Sequence, residues 1–197
     1  MINRYKRIIR NNKIVNIVLV IFLVGLVIGS FYITLLKNSE KELIINSVNN
    51  YFSNNTISFD EKISIFKSSF ISNFIYFTVM WLIGISIIGL PILYIMVIVR
   101  SFNLGFTISS IFACKKMGGI LDIILYLIPN NLVLSILTIF LASYSSIISI
   151  HILRSVISKK TLNFNSFMGK YFFVYLISFI IIVLNALYDA FIYTMIK

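Results

Sequence analysis

Residues 14–36 read IVNIVLVIFLVGLVIGSFYITLL and contain no charged side chain. A helix over this run would be about 35 Å long at ~1.5 Å per residue, which is enough to cross a hydrocarbon core of ~30 Å. The run is too long for the apolar region of a signal peptide, and no A-x-A-like cleavage site follows it. The basic stretch MINRYKRIIRNNK precedes it at residues 1–13. The positive-inside rule therefore predicts an uncleaved first transmembrane helix with its amino terminus in the cytoplasm.

The composition of the whole chain supports the same interpretation. Of its 197 residues, 59% are hydrophobic and 12% are charged, whereas soluble domains contain ~45–50% apolar and ~25% charged residues. This composition predicts an integral membrane protein and argues against a soluble enzyme. The net charge of +11 arises from residues between long apolar runs, which favours a role in membrane topology and lipid-headgroup contact over nucleic-acid binding. The single cysteine, Cys114, excludes an intrachain disulfide.

Further charge-free runs predict additional membrane crossings. They occupy residues 68–99, 123–153 and 171–188, and a shorter one occupies residues 101–114. The excess of Lys and Arg at residues 154–170 places this loop on the side of the amino terminus, which requires an even number of crossings between them. We therefore predict an all-α polytopic membrane protein with about five transmembrane helices, near residues 14–36, 70–99, 101–117, 128–153 and 171–193.

Two features complicate the middle of this assignment. Pro91 lies inside the second run and predicts a kink near Leu90, because proline lacks an N–H and clashes with the preceding turn. Arg100 follows that run and is expected to reach the membrane interface with its charged end. The apolar stretch after Arg100 is short for a span, so a broken or re-entrant helix pair over residues 101–130 is the alternative to a full crossing.

The one sizeable polar segment covers residues 37–67, and its positive and negative charges cancel. Ser39-x-x-Glu42 and Ser58-x-x-Glu61 both fit the capping box that begins a helix. The segment therefore predicts two short amphipathic helices broken at residues 54–55, on the outer membrane face. They would be a structural connector, rest on lipid, or dock a partner. The candidate partner-contact residues are Leu43, Ile44, Val48, Tyr51 and Phe52.

These predictions divide the chain into four segments. They are a basic cytoplasmic amino terminus at residues 1–13, a first span at 14–36, an extracytoplasmic segment at 37–67 and a helical membrane domain at 68–197. Together they form a single membrane domain overall.

Residues capable of catalysis are few. Asp122 and Asp189 lie in or near predicted spans, where an ionisable group is a functional candidate. Their spacing and order do not match the paired aspartates of intramembrane proteases, so we expect both near the outer interface. His151 has no Cys or His cluster around it in the sequence, and zinc needs three or four ligands. No nucleotide-binding, zinc-protease or serine-hydrolase motif occurs. We predict no enzymatic activity, no catalytic residue, no metal and no cofactor.

Two motifs predict helix packing. Gly25-x-x-x-Gly29 places two glycines one turn apart, which lets another helix approach closely, either within the chain or on another protein. Pro129-Asn130-Asn131 puts two amide side chains in an apolar stretch, where they could cap backbone groups freed by a helix break or bind a partner.

Three stretches resemble the stage II sporulation protein M family. The block MWLIGISIIGLP at residues 80–91 resembles the family's central motif, and RSFNLGFT at residues 100–107 resembles its (K/R)-x-x-x-x-G-F-T stretch. LIPNNL at residues 127–132 is similar to its L-P-[QN]-N-L segment, with an isoleucine between Leu127 and Pro129. The family-motif residues that carry this resemblance or the predicted packing are Gly25, Gly29, Trp81, Gly84, Gly89, Pro91, Gly105, Pro129 and Asn130.

The resemblance implies a function that the residues alone do not give. Members of the family are polytopic membrane proteins that act in engulfment during endospore formation. It implies a scaffold in the mother-cell septal membrane that holds two peptidoglycan-cleaving partners, stage II sporulation proteins D and P. Membrane lipid would be its other partner, and nucleic acid would not be one. The alternative is a transporter or channel for a small solute, since broken helices and intramembrane asparagines suit a binding site at the membrane midplane.

Overall fold

A computed structural model describes residues 2–53, 59–86, 88–115, 128–158 and 164–192 of the chain. Over these ranges the chain forms six α-helices and no strand. They are α1 (Ile2–Leu35), α2 (Asn38–Ser53), α3 (Phe59–Gly84), α4 (Gly89–Lys115), α5 (Ile128–Ile157) and α6 (Phe164–Ile192). The predicted all-α class is confirmed.

Five of these helices are long and apolar enough to cross a membrane, which confirms the predicted number of spans. The spanning stretches are Lys13–Leu35, Asp60–Gly84, Gly89–Lys115, Pro129–Ile157 and Met168–Phe191. The helix α2 is the exception, because it is short and polar.

Contacts between helix ends show that consecutive spans alternate in direction. Cys114, at the end of α4, lies with its sulfur 3.1 Å from Asn49 Oδ1 in α2. Ser69 early in α3 and Asn130 at the start of α5 both donate hydrogen bonds to Asp189, near the end of α6. We call this end of the bundle the α2 end. At the opposite end, the last turn of α3 meets the start of α6.

The helix α5 is the centre of the bundle. Within its most apolar stretch 56% of residues are buried, against 17–28% in the other four spans. Its buried face is rich in small residues, among them Ala142, Ser145, Ser146 and Ser149, and small side chains let helix backbones approach closely in a membrane. The apolar core consists of Val18, Phe22, Phe77, Met80, Leu93, Val97, Leu134, Leu137, Leu141, Ala142 and Ile182.

Two of the buried serines on α5 donate to backbone carbonyls, which makes their hydroxyls compatible with an apolar surrounding. Ser146 Oγ donates to the Ala142 carbonyl at 2.8 Å, one turn earlier in the same helix. Ser149 Oγ donates to the Ser86 carbonyl at 2.8 Å and so holds the connection between α3 and α4 against α5. Many apolar side chains on the outer faces stay exposed, for example Phe31 (66%) and Phe173 (63%), as helices surrounded by lipid require.

The predicted boundary between the second and third spans was wrong. The second span ends at Gly84, and α4 then runs unbroken from Gly89 through Arg100 to Lys115. Pro91 lies in the first turn of α4. A backbone N–H at this position would have no intrahelical acceptor, and no preceding helical turn is present for the proline ring to clash with. The expected kink near Leu90 is therefore a helix start. The stretch after Arg100 is the second half of a full-length span, while residues 116–127 lie outside the described residues.

The polar segment also differs from its prediction. The first amphipathic helix exists as α2, but the backbone N–H of Lys37 donates to Glu40 Oε2 at 3.0 Å. The capping contact therefore lies two residues before the predicted Ser39–Glu42 pair. The second predicted amphipathic helix is the beginning of α3, so the boundary drawn at residue 67 falls inside a continuous span. Residues 54–58 lie outside the described part of the chain.

Candidate functional site

A polar cleft of about 640 Å³ opens between α3, α4, α5 and α6 toward the α2 end of the bundle. Its walls carry two opposite charges and a high density of hydroxyl and amide groups, which is unusual inside five apolar spans. The lining residues are Ser64, Ile65, Ser68, Ser69, Ser72, Asn73, Arg100, Asn130, Asn131, Leu134 and Asp189. We refer to this space as the polar cleft.

Asp189 connects three helices at the wall of the polar cleft. Ser69 Oγ of α3 donates to its Oδ2, and Asn130 Nδ2 of α5 donates to its Oδ1. Each carboxyl oxygen of Asp189 therefore accepts a hydrogen bond from a different helix. The sequence predicts Asp189 near the outer interface beside the carboxyl terminus, and the structure shows it packed against α3 and α5 at the α2 end of the bundle.

Two buried asparagines support the groups that contact Asp189. Asn73, 6% exposed, donates through Nδ2 to the Ser69 carbonyl at 2.9 Å. Asn185, 4% exposed, donates through Nδ2 to the Asn130 carbonyl at 3.3 Å. Asn130 thus bonds a neighbouring helix rather than capping its own. The side-chain oxygens of Asn130 and Asn185 are buried without a hydrogen-bond partner.

Arg100 supplies the positive charge of the polar cleft. Its guanidinium carbon lies 5.5 Å from the centre of the Tyr76 ring, within cation–π range. The Tyr76 hydroxyl donates to the Met96 carbonyl at 2.9 Å, which fixes the ring. Arg100 and Asp189 both line the cleft. Arg100 is 11 residues, about 16 Å at ~1.5 Å per residue, from the start of α4, so its predicted interfacial position was wrong.

The residues Trp81 and Gly84 form a second site, at the end of the bundle opposite α2. The hydroxyl of Tyr171, a fully buried residue, donates to the Trp81 carbonyl at 2.6 Å and lies 2.9 Å from Ser145 Oγ. The Trp81 indole returns a hydrogen bond of 3.3 Å to the Tyr171 carbonyl. A Cβ on Gly84 would lie 2.4 Å from the Tyr171 hydroxyl and from Ser145 Cβ. This cluster joins α3, α5 and α6 by packing and hydrogen bonding.

The Gly25-x-x-x-Gly29 motif packs within the chain, which is one of the two alternatives that the sequence left open. A Cβ on Gly29 would lie 2.1 Å from the Phe102 carbonyl oxygen of α4. From the other side, a Cβ on Gly105 would lie 2.2 Å from the Leu26 carbonyl oxygen of α1. Ser30 Oγ lies 3.4 Å from the Gly105 carbonyl oxygen at the same crossing. The three glycines therefore bring the backbones of α1 and α4 into contact.

The remaining family-motif residues lie at helix starts. Gly89 begins α4, and a Cβ there would lie 2.3 Å from the Ile83 carbonyl oxygen. Pro91 and Pro129 occupy the first turns of α4 and α5, where proline is tolerated. None of the three lines the polar cleft.

The candidate partner-contact residues of α2 divide into two sides. Leu43 is 68% exposed, whereas Ile44 and Val48 are half-buried on the side that faces the bundle. The Ile45 carbonyl, on that side, lies 3.9 Å from the Cys114 sulfur. The side chains of Tyr51 and Phe52 lie outside the described part.

Other sequence candidates do not join a site. Asp122 lies outside the described residues, so its relation to Asp189 stays a prediction. His151 lies on α5, at the end of the bundle opposite the polar cleft. Among the residues that the structure describes, no three His, Cys, Asp or Glu residues come together as a metal site would require.

Comparison with known proteins gives one match. The model of the family described as "Stage II sporulation protein M" matches residues 18–192 of the chain. No curated protein and no solved structure matches it.

Proposed function

Because the chain belongs to the stage II sporulation protein M family and is a sporulation-related membrane protein, we propose that it is a membrane scaffold of the engulfment machinery. In this proposal it tethers two peptidoglycan-degrading partners, stage II sporulation proteins D and P, at the septal membrane of the mother cell. Bond cleavage belongs to those partners, and this chain needs no catalytic residue or cofactor.

The proposed orientation follows from charge. The amino-terminal segment at residues 1–13 contains five Lys or Arg residues and no acidic residue, which favours a cytoplasmic location. With spans that alternate in direction, the α2 end of the bundle then faces the cell wall. The helix α2 and the mouth of the polar cleft would both lie on the side where peptidoglycan is remodelled.

The observation that carries the scaffold proposal is the fixed position of α2 at that end. Its half-buried side contacts the end of α4 through Cys114, and its first turn is capped by Glu40. Its other side presents Leu43 with 68% of the residue exposed. A helix held on one side and free on the other is a suitable docking surface for an extracytoplasmic partner domain.

The physical effect of such a scaffold is an increase in effective concentration. Two enzymes confined to one membrane protein meet each other and the adjacent wall more often than they would in free diffusion. Neither partner needs to be activated chemically for its local rate to rise.

The transporter alternative has less support. The apolar core lies between the polar cleft and the opposite end of the bundle. Its fully buried residues (0% exposed) include Phe77, Met80, Leu93, Val97 and Leu141. These buried apolar side chains lie between the cleft and the far end, which does not favour a polar path across the membrane through the described helices.

The exposed side of α2 provides the test. We expect Leu43→Asp to reduce the amounts of the D and P partners that co-purify with the tagged chain on the order of tenfold. Such a reduction corresponds to loss of ~1.4 kcal/mol at an apolar contact. The measurement is quantitative immunoblotting of detergent-solubilised membranes from sporulating cells.

The matched control is Asn46→Asp, which adds the same charge at another exposed position of α2 without removing an apolar side chain. It should leave co-purification unchanged. Equal recovery of both partners with wild-type and Leu43→Asp protein would contradict the proposed role of α2.

A further inference from the structure

A second cavity adjoins the polar cleft and differs from it in chemistry. It has a volume of about 220 Å³, lies between α1, α4 and α5, and is walled by Phe22, Leu26, Leu104, Ile108, Asn131, Leu132 and Ser135. Apart from Asn131 and Ser135, these side chains are apolar. Leu132 is 49% exposed, so this apolar groove reaches the outer, lipid-facing surface of the bundle.

The polar cleft and the apolar groove are adjacent, because Asn131 lines both of them. On α4, Arg100 lines the cleft while Leu104 and Ile108 line the groove, and residues spaced by four lie along one helix face. A charged compartment and an apolar compartment therefore share one wall, which is the shape that an amphiphile occupies.

The polar cleft also has unused hydrogen-bonding capacity of two kinds. The guanidinium of Arg100 offers five N–H donors; it lies over the Tyr76 ring and donates no hydrogen bond to another residue that the structure describes. The side-chain oxygen of Asn130, which lines the cleft, is a buried acceptor without a partner. An occupant that completes the site therefore carries an anionic acceptor for Arg100 and a donor for this amide oxygen.

We propose that the polar cleft and the apolar groove together bind one phospholipid, with its phosphate at Arg100 and part of an acyl chain against Leu104 and Ile108. The headgroup is one that donates hydrogen bonds, such as ethanolamine or glycerol. Choline has no N–H or O–H and cannot donate a hydrogen bond to the side-chain oxygen of Asn130. A cleft of about 640 Å³ is within the ~300–1,000 Å³ range of small-ligand sites.

Native mass spectrometry of the full-length chain in detergent tests this site. The probes are phosphatidylethanolamine, phosphatidylglycerol and phosphatidylcholine with identical acyl chains, together with soluble glycerophosphoethanolamine. We expect at least one of the two donor-bearing lipids to bind on the order of tenfold more tightly than phosphatidylcholine, and the soluble compound not to compete at equal concentration. Equal affinity for all three lipids, or full competition by the soluble compound, would overturn the proposal.

Two variants locate the binding. Arg100→Gln should weaken the favoured lipid on the order of tenfold, because a charge-assisted contact to phosphate is lost, whereas Arg154→Gln at an exposed position should not. Ile108→Trp fills the apolar groove and should weaken the same lipid, whereas Ile95→Trp on an exposed face of α4 should not. If Arg100→Gln does not fold, the comparison of the two tryptophan variants decides the question. Unchanged lipid binding in Ile108→Trp contradicts the proposal.

Discussion

Replacement of Gly29 by valine is expected to abolish the packing of α1 on α4 and to give the largest loss of stability among single substitutions in the first span. Even a lone Cβ at this position would lie 2.1 Å from the Phe102 carbonyl oxygen and 2.9 Å from the Phe102 Cα. These atoms belong to the backbone of α4, so no side-chain rotation relieves the clash. The two helices must separate, and contacts along the whole crossing weaken.

The expected magnitude is at least ~3 kcal/mol of unfolding free energy, the upper end of the usual cost of overpacking. The measurement is a reversible unfolding titration in detergent micelles, monitored by Trp81 fluorescence. Gly105→Ala should show a smaller loss in the same direction, because its Cβ would lie 2.2 Å from the Leu26 carbonyl oxygen.

Gly169→Ala is the matched control for both substitutions. Gly169 lies in α6 and has no atom within 4 Å of an added Cβ. Alanine there should be neutral or raise stability by up to ~1 kcal/mol, since it favours the helix more than glycine does. An unfolding free energy for Gly29→Val equal to that of wild type would show that α1 and α4 do not cross at this motif.

Truncation of Tyr171 to alanine is expected to give the second large effect, at the other end of the bundle. Tyr171 is fully buried between α3, α5 and α6, and it stacks on the Trp81 ring with centroids 5.2 Å apart. Removal of a buried aromatic side chain costs ~3–5 kcal/mol through lost packing and the cavity it leaves. The same unfolding titration, monitored by circular dichroism because Trp81 is in contact, provides the value.

Tyr171→Phe separates the hydroxyl from the ring. It should cost ~1–3 kcal/mol, because the Trp81 carbonyl and Ser145 lose their common partner in a buried place. Phe173→Ala, two residues along and 63% exposed, should change stability by less than ~1 kcal/mol. Equal losses of unfolding free energy in Tyr171→Ala and Phe173→Ala would contradict a structural role for Tyr171.

The number of spans could be predicted from the sequence because long charge-free runs leave few alternatives in a chain of this composition. The boundaries could not. Arg100 had the appearance of an interfacial residue between two runs, yet its charge is accommodated inside the bundle by the Tyr76 ring and the polar cleft. Pro91 had the appearance of a kink, yet it starts a helix, and these two residues together shifted the predicted second and third spans.

The polar cleft was missed for a different reason. Ser69, Asn130 and Asp189 are far apart in the sequence, and no periodicity relates them; only the packing of α3, α5 and α6 brings them together. The available signal was the cost of placing ionisable groups in a span. It singled out Asp189, and applied to Arg100 as well it would have indicated a pair of opposite charges within the bundle.

The packing of the small residues could be predicted in part from the sequence. The spacing of Gly25 and Gly29 predicts a close helix contact, whereas nothing in the sequence indicates that Gly105 lies on the partner helix. The sequence does not predict that the serines of α5 lie on a buried packing face, because serine is common in loops and at helix ends. The hydrogen bond from serine to the carbonyl one turn earlier satisfies its hydroxyl when the helix is buried.

Cysteine accessibility tests the central claim, a five-span bundle that presents α2 on the outside of the cell. In a Cys114→Ser background, single cysteines replace Ser47 on α2 and Ser158 after α5, and intact cells are treated with a membrane-impermeant maleimide. The cysteine at position 47 should react before permeabilisation and the one at position 158 only after it. Reaction of position 158 in intact cells, or protection of position 47, would contradict the account.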